Sequence, residues 1–261
     1  MPGTLEGLTA VVSGVGPGLG RAVALDLGRH GCNLVLVARR MTFLEQVREE
    51  LGALGREAVC VSADVTDPDA CAHVAATAEQ HFGRGDILVN NAFLSGPRTT
   101  VLDSDFDQWR SVIEVNLFGT LNMTRAMVPL LSRHGDGRVV MVNSLQAWKV
   151  IDGFAAYSTS KAALSGVTRT LAQELGGQGI RVNAVHPGMI WSEQVEGYLR
   201  LRAEQSGRSY QDVHAEACRN TALGYIPGPE EMAGTITYLA SPLARPVTGQ
   251  SIGTNAGEWF H

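Results

Sequence analysis

Tyr157 and Lys161 stand four residues apart in Ala155-Ala156-Tyr157-Ser158-Thr159-Ser160-Lys161-Ala162-Ala163-Leu164, and Lys161 is one of two lysines among 261 residues. On a helix, positions i and i+4 share a face, so an ammonium there sits beside the phenol and favours its ionised form. A tyrosine with an unperturbed pKa of about 10 is a poor proton donor and acceptor at neutral pH and needs such help. The competing reading is a solvated helix face carrying an aromatic ring and a charge. For an isolated Tyr-x-x-x-Lys that reading wins, so the rest of the chain must decide.

A second segment points to a phosphate-bearing ligand. Ser13-Gly14-Val15-Gly16-Pro17-Gly18-Leu19-Gly20 follows the first strand-like run and opens the first helical pattern. In that position glycine lets backbone amides approach a pyrophosphate at a helix N-terminus. The spacing alone is weak in a chain with 30 glycines, and its place between strand and helix supplies the weight. The second strand-like run ends Val35-Leu36-Val37-Ala38-Arg39-Arg40. An NAD site usually offers Asp or Glu near this point to the ribose hydroxyls, whereas arginine suits a 2′-phosphate. NADP is therefore expected, with NAD as second choice. The alternative is a basic pair that is solvated or stacks on adenine. After the third run, Asp64 and Val65 place a carboxylate and a backbone amide where an adenine edge could be held, and Asp64 could equally cap a helix.

These segments need a scaffold. Short runs rich in valine, isoleucine and leucine at 8–13, 33–38, 57–62, 87–90, 138–143 and 180–185 alternate with helical patterns near 18–30, 41–54, 67–82, 105–132 and 156–176. The alternation predicts right-handed βαβ crossovers: an α/β, Rossmann-like doubly wound parallel sheet of about seven strands, helices on both faces, in a single domain spanning 1–261. Residues 189–228 break the rhythm with helical pieces separated by Gly197, Gly207, Gly224 and Pro227. An insertion after a strand's carboxyl end lies where open α/β sheets bind ligands, so this segment is read as a substrate lid, with a subunit contact as the alternative.

Composition narrows the function further. The net charge of −5 argues against nucleic-acid binding, and no apolar run approaches a membrane span. Cys32, Cys60, Cys71 and Cys218 form no paired framework, and the seven histidines form no metal-binding cluster, so free thiols and metal-free chemistry are expected. The opening Met1-Pro2-Gly3-Thr4-Leu5-Glu6 has neither a basic leader nor an apolar core, and a cytoplasmic location is expected.

Together these residues resemble the short-chain dehydrogenase/reductase family in its compact single-domain branch, across nearly the whole chain. The family's Thr-Gly-x-x-x-Gly-x-Gly appears with Ser13 for Thr and with Gly14, Gly18 and Gly20 intact. Asn90-Asn91-Ala92 matches the Asn-Asn-Ala-Gly segment, with Phe93 replacing the glycine. Asn116 matches the helix asparagine, Ser144 lies 13 residues before Tyr157, and Pro187-Gly188 follows the sixth strand. The resemblance implies hydride transfer between a nicotinamide and a carbonyl or secondary-alcohol carbon. Tyr157 would be the acid/base, Lys161 would stabilise the phenolate and bond the nicotinamide ribose, Ser144 would bond the substrate oxygen, and Asn116 would order a water leading from Lys161 to solvent. Ile190 and Ser192 would meet the carboxamide, with Trp191 between them. Phe93, Leu94, Leu145, Gln146, Trp148, Phe154, Trp191 and Tyr198 are candidate pocket walls, which suggests a small, mainly apolar substrate. A homotetramer is expected from the resemblance alone.

Two other functions stay open. A 3-oxoacyl-(acyl-carrier-protein) reductase needs basic residues by the cleft for an acidic partner; Gln178 stands where that subgroup often has arginine, and Arg133 and Arg138 are nearby in sequence. A non-catalytic dinucleotide-binding regulator would keep the fold without the chemistry, and Asn116, Ser144, Tyr157 and Lys161 count against it.

Overall fold

The computed structural model describes residues 4–260, so the first three residues, on which the reading of the chain's opening partly rested, lie outside it. Seven strands form one sheet: β1 (Thr9–Ser13), β2 (Asn33–Ala38), β3 (Ala58–Ser62), β4 (Ile87–Asn90), β5 (Gly137–Val142), β6 (Ile180–Pro187) and β7 (Ser251–Thr254). Every pairing is parallel, in the order β3-β2-β1-β4-β5-β6-β7. All residues of β1, β4, β5 and β6 are buried, so β1 and β4 read as largely apolar runs instead of alternating ones, while β6 buries Arg181, Asn183 and His186 among its apolar residues.

Helices α1 (Leu19–Arg29) and α2 (Met41–Ala53) cover one face together with α9 (Pro229–Ala240), enclosing Leu27, Leu36, Leu44, Ile236 and Leu239. On the other face α3 (Pro68–Phe82), α5 (Thr120–Leu131) and α6 (Ala155–Leu175) enclose Val74, Leu88, Met123, Met141 and Leu164. The strand order reverses between β1 and β4, where Ser13 lies beside Asn90. The carboxyl ends of these neighbouring strands therefore open a crevice at the switch point.

The helical pattern at 105–132 is not one continuous helix. α4 (Phe106–Ile113) and α5 are joined by a π-helical turn, Glu114–Gly119. Tertiary contacts explain the widening: the Asn116 amide is drawn to the loop after β4, and Gly119 lies so close to Val65 that a Cβ there would be 2.6 Å from Cγ2. The segment read as a lid contributes α7 (Glu193–Ser206) and α8 (Tyr210–Arg219), which pack around a small apolar cluster of their own, including Leu199, Val213 and Ile226. Among the described residues the cysteines are free, no group of side chains could hold a metal, and no helix is long and apolar enough to cross a membrane.

Candidate active site

The glycine loop is shaped by contacts that exclude side chains at two of its positions. Gly14 has φ +73°, and a Cβ on it would lie 2.5 Å from the Ala92 backbone; one on Gly20 would lie 2.4 Å from the Gly14 carbonyl. Asn91 locks the loop to β4 by donating from Nδ2 to the Gly14 carbonyl at 2.7 Å. The Ser13 hydroxyl accepts from the Asn91 amide at 3.3 Å, the contact available to the family's threonine as well. By contrast, nothing lies within 4 Å of a Cβ on Gly16 or Gly18. Gly18 is the N-cap of α1 and brings no side chain to its amides, so the helix start is open to an anion.

A cleft of about 760 Å³ runs from this loop past the ends of β2 and β3, lined by Gly14, Gly16, Pro17, Arg39, Arg40, Asp64, Val65, Asn91 and Ala92. Thr42, Phe43 and Gln46 of α2 line it too, which sequence reading did not find, because an amphipathic helix carries no local sign that its first turn faces a ligand. Arg39 and Arg40 are exposed and, among the described residues, neither guanidinium makes a hydrogen bond or ion pair. Asp64 is not the cap of α3, a role Asp67 fills through the amides of Asp69 and Ala70. Its Oδ1 accepts instead from the amide and hydroxyl of Thr66 at 3.0 and 2.8 Å. Those bonds, the amide foremost, hold its carboxyl below the ordinary carboxylate range, with a smaller contribution from Arg39.

At the cleft's inner end a pocket of about 130 Å³ brings together Ser144, Tyr157 and Lys161 with Leu19, Asn91, Pro187, Gly188 and Ile190. Ser144 follows β5, while Tyr157 and Lys161 lie on the first turns of α6. Burial holds the Tyr157 phenol above its ordinary pKa, opposed in smaller measure by the Ser144 hydroxyl. Lys161 is buried, its Nζ 5.6 Å from the Tyr157 ring centroid and donating to the Val142 carbonyl at 2.8 Å. Burial pushes its pKa down to about 7. Desolvation is the leading cause at both groups, opposing the ionised phenol and the charged ammonium alike.

The arrangement has counterparts. A family model described as enoyl-(acyl carrier protein) reductase matches residues 14–258. The chain is 34% identical over 248 residues to the short-chain reductase protein NovJ of Streptomyces niveus, covering 95% of this chain and 92% of that protein. It is 34% identical over 260 residues to a 3-oxoacyl-(acyl-carrier-protein) reductase of Synechocystis sp., covering 97% of each. The solved structure of L-sorbose reductase from Gluconobacter frateurii, complexed with NADPH and L-sorbose, matches with a TM-score of 0.92 at 26% identity, over 99% of this chain and 98% of that one. The chain belongs to the short-chain dehydrogenase/reductase family. It is an oxidoreductase of alcohol and carbonyl groups that uses a nicotinamide dinucleotide.

Two family positions make protein contacts of their own in this short-chain dehydrogenase/reductase. The Asn116 side chain lines neither cavity; its Oδ1 accepts from the Leu94 amide at 2.7 Å, and its Nδ2 donates to the Leu94 carbonyl and the Ser160 hydroxyl, both at 2.9 Å. Its amide therefore braces the loop after β4 against α6. Ser192 also lines neither cavity, and its hydroxyl caps α7 by accepting from the Val195 amide at 3.2 Å. Among the candidate walls, Phe93 and Phe154 each meet the Tyr157 ring edge-on, at 6.3 and 6.5 Å. Trp148 stacks on His186, Leu145 is core, and Trp191 packs against the apolar cluster of α7 and α8.

Proposed function

We propose that this chain is an NADP-dependent oxidoreductase that interconverts a ketone and a secondary alcohol on a small, mainly apolar metabolite, with Tyr157 as acid/base. The observation that carries the reading is the meeting of Ser144, Tyr157 and Lys161 in one pocket that continues into a glycine-looped cleft. The residues fit a dinucleotide: glycines where a Cβ would fill the approach, an uncapped helix start for the pyrophosphate, and two unpaired arginines for a 2′-phosphate. When bound, the dinucleotide supplies the hydride donor or acceptor.

The chain's own residues supply the rest. Ser144 holds the substrate oxygen and its developing charge, and Tyr157 gives or takes the proton there. Lys161 stabilises the phenolate as it forms and, as family resemblance implies, bonds the nicotinamide ribose. Any proton path past Asn116 uses its main-chain carbonyl, because the side chain is committed to Leu94 and Ser160. Phe93 and Phe154, flanking the phenol, favour an apolar substrate body. A cytoplasmic homotetramer completes the proposal, and light scattering on the purified chain tests its assembly.

Similarity to the Synechocystis enzyme favours a 3-oxoacyl-(acyl-carrier-protein) substrate as the second reading. Against it, the arginines available for an acidic partner are committed: Arg133 pairs with Glu79, and buried Arg138 pairs with Asp136. The test is NADPH consumption over a carbonyl panel that includes an acyl-carrier-protein thioester. Tyr157→Phe should cut kcat at least about 100-fold and leave NADPH binding intact. Unchanged turnover in that variant refutes the acid/base assignment. Tight NADPH binding without turnover of any substrate favours the regulator.

A further inference from the structure

The loop after β7 reaches two other parts of the fold. Glu258 is largely buried and its carboxylate joins two distant segments: one oxygen meets Lys149 Nζ at 3.3 Å, and the other accepts from the Met189 amide at 3.3 Å. Lys149 lies in the stretch between Ser144 and Tyr157. Met189 follows Pro187-Gly188 and precedes Ile190, all three of which line the catalytic pocket. Contact at this corner is tight, since a Cβ on Gly188 would lie 2.7 Å from Glu258 Oε2 and 2.9 Å from Asn255 Cβ.

The loop is built to hold that carboxylate in place. Asn255, buried, accepts from the Gly257 amide at 3.0 Å through Oδ1 and donates to the Trp259 carbonyl at 3.1 Å through Nδ2. Ala256 has φ +51°, the positive-φ non-glycine among the described residues, so the turn is held in a conformation that side chains disfavour. Its carbonyl accepts from the Leu223 amide at 3.0 Å, and the Gly257 carbonyl accepts from the Ala222 amide at 3.2 Å. One short loop thus fastens both ends of the α7–α8 segment, at 189 and at 222–223.

We propose that Glu258 is a positioning residue: through the Met189 amide it fixes the Pro187–Ile190 wall against which the nicotinamide half of the dinucleotide binds. This rests on the dinucleotide reading above. The adenosine half lies against the glycine loop and Arg39, on strands that Glu258 does not touch, so the loop should matter for one half of the ligand and not for the other.

The experiment uses the full chain with NADPH and its adenosine half 2′,5′-ADP, measured by calorimetric titration, with NADH and ADP as a parallel pair. Glu258→Ala should weaken NADPH roughly tenfold, the size of one lost hydrogen bond to a charged acceptor, and leave 2′,5′-ADP within about twofold. Glu258→Gln keeps an oxygen for the Met189 amide and should recover most of the NADPH affinity. Equal weakening of both ligands shows general damage and overturns the proposal, as does unchanged NADPH binding in Glu258→Ala. A Glu258→Gln variant as weak as Glu258→Ala overturns the assignment to the Met189 bond. If the wild-type chain binds none of the four ligands, the dinucleotide reading itself fails.

Discussion

Replacing Lys161 by methionine should stop the chemistry and, near neutral pH, make the dinucleotide-free protein more stable. Burial lowers the folded-state pKa of Lys161 from 10.5 to about 7. Between those values the unfolded chain binds more protons than the folded one, so stability rises with pH across the window and is flat below about pH 7. Integrating the shift puts the cost of burying this ammonium at about 4 kcal/mol at pH 7, falling by about 1 to 2 kcal/mol by pH 8.5. Methionine removes that cost but leaves the Val142 carbonyl without its donor, a loss of about 1 to 3 kcal/mol. The net expectation at pH 7 is a gain of about 1 to 3 kcal/mol, or roughly 2 to 10 °C in Tm for a chain of this size. Unfolding by urea or heat at pH 7 and 8.5, without dinucleotide, reads it: wild type should gain stability over the interval, and Lys161→Met should gain much less. The window closes there because buried Cys32 and Cys71 and half-buried Cys60 have thiols pushed up to about 11 to 12, so unfolding gains from their ionisation above about pH 9. Parallel pH profiles for the two proteins, or a variant less stable than wild type at pH 7, refute the reasoning.

The glycine loop separates shape from ligand contact. Gly14→Ala forces a Cβ into the Ala92 backbone at φ +73° and should destabilise by about 2 to 4 kcal/mol in denaturant unfolding, whereas Gly16→Ala, with open space around its Cβ, should leave stability within about 0.5 kcal/mol and weaken NADPH binding. Arg39→Ala should weaken NADPH by about tenfold or more and change NADH by less than about threefold in equilibrium titration; equal loss on both, or tighter NADH binding in the wild type, removes the 2′-phosphate assignment.

The central strands were legible because they are buried on both faces and so are rich in apolar residues, and β2 and β4 fall at the residues read from the sequence. The proposed catalytic set was drawn from short local patterns at a strand end or on one helix face, and Ser144, Tyr157 and Lys161 meet in one pocket. Tertiary contacts account for what was not legible. The π-helical turn depends on Asn116 reaching Leu94, 22 residues away; an asparagine there allows a helix-bend hydrogen bond, but Glu-Val-Asn-Leu-Phe-Gly does not name its distant partner. Ser192 caps α7 because Ser is a strong N-cap, a local contact that was not read for this side chain. The Glu258 link to Lys149 spans 109 residues and has no sequence sign at all. Burial was equally invisible: the Tyr-x-x-x-Lys spacing places a charge beside a phenol, but the surroundings decide that desolvation sets both pKa values in the free protein.

Those surroundings also explain how the disfavoured groups stay in place. Two asparagine–serine pairs tie the catalytic turns of α6 to separate loops. Asn116 donates to the Ser160 hydroxyl, which donates to the Tyr157 carbonyl at 2.7 Å. Asn143 donates to the Ser165 hydroxyl at 2.9 Å, which donates to the Lys161 carbonyl at 3.4 Å, while Asn143 Oδ1 accepts from the Ser144 amide at 3.0 Å. Tyr157 is thereby braced to the loop after β4, and Lys161 to Ser144 at the end of β5. Each brace satisfies polar groups that would cost about 1 to 3 kcal/mol if buried unpaired, an amount comparable to the penalty of holding the ammonium away from water. The geometry of the proposed acid/base site is thus braced through the backbone of Tyr157, Lys161 and Ser144, and the Lys161 ammonium is held in addition by the Val142 carbonyl.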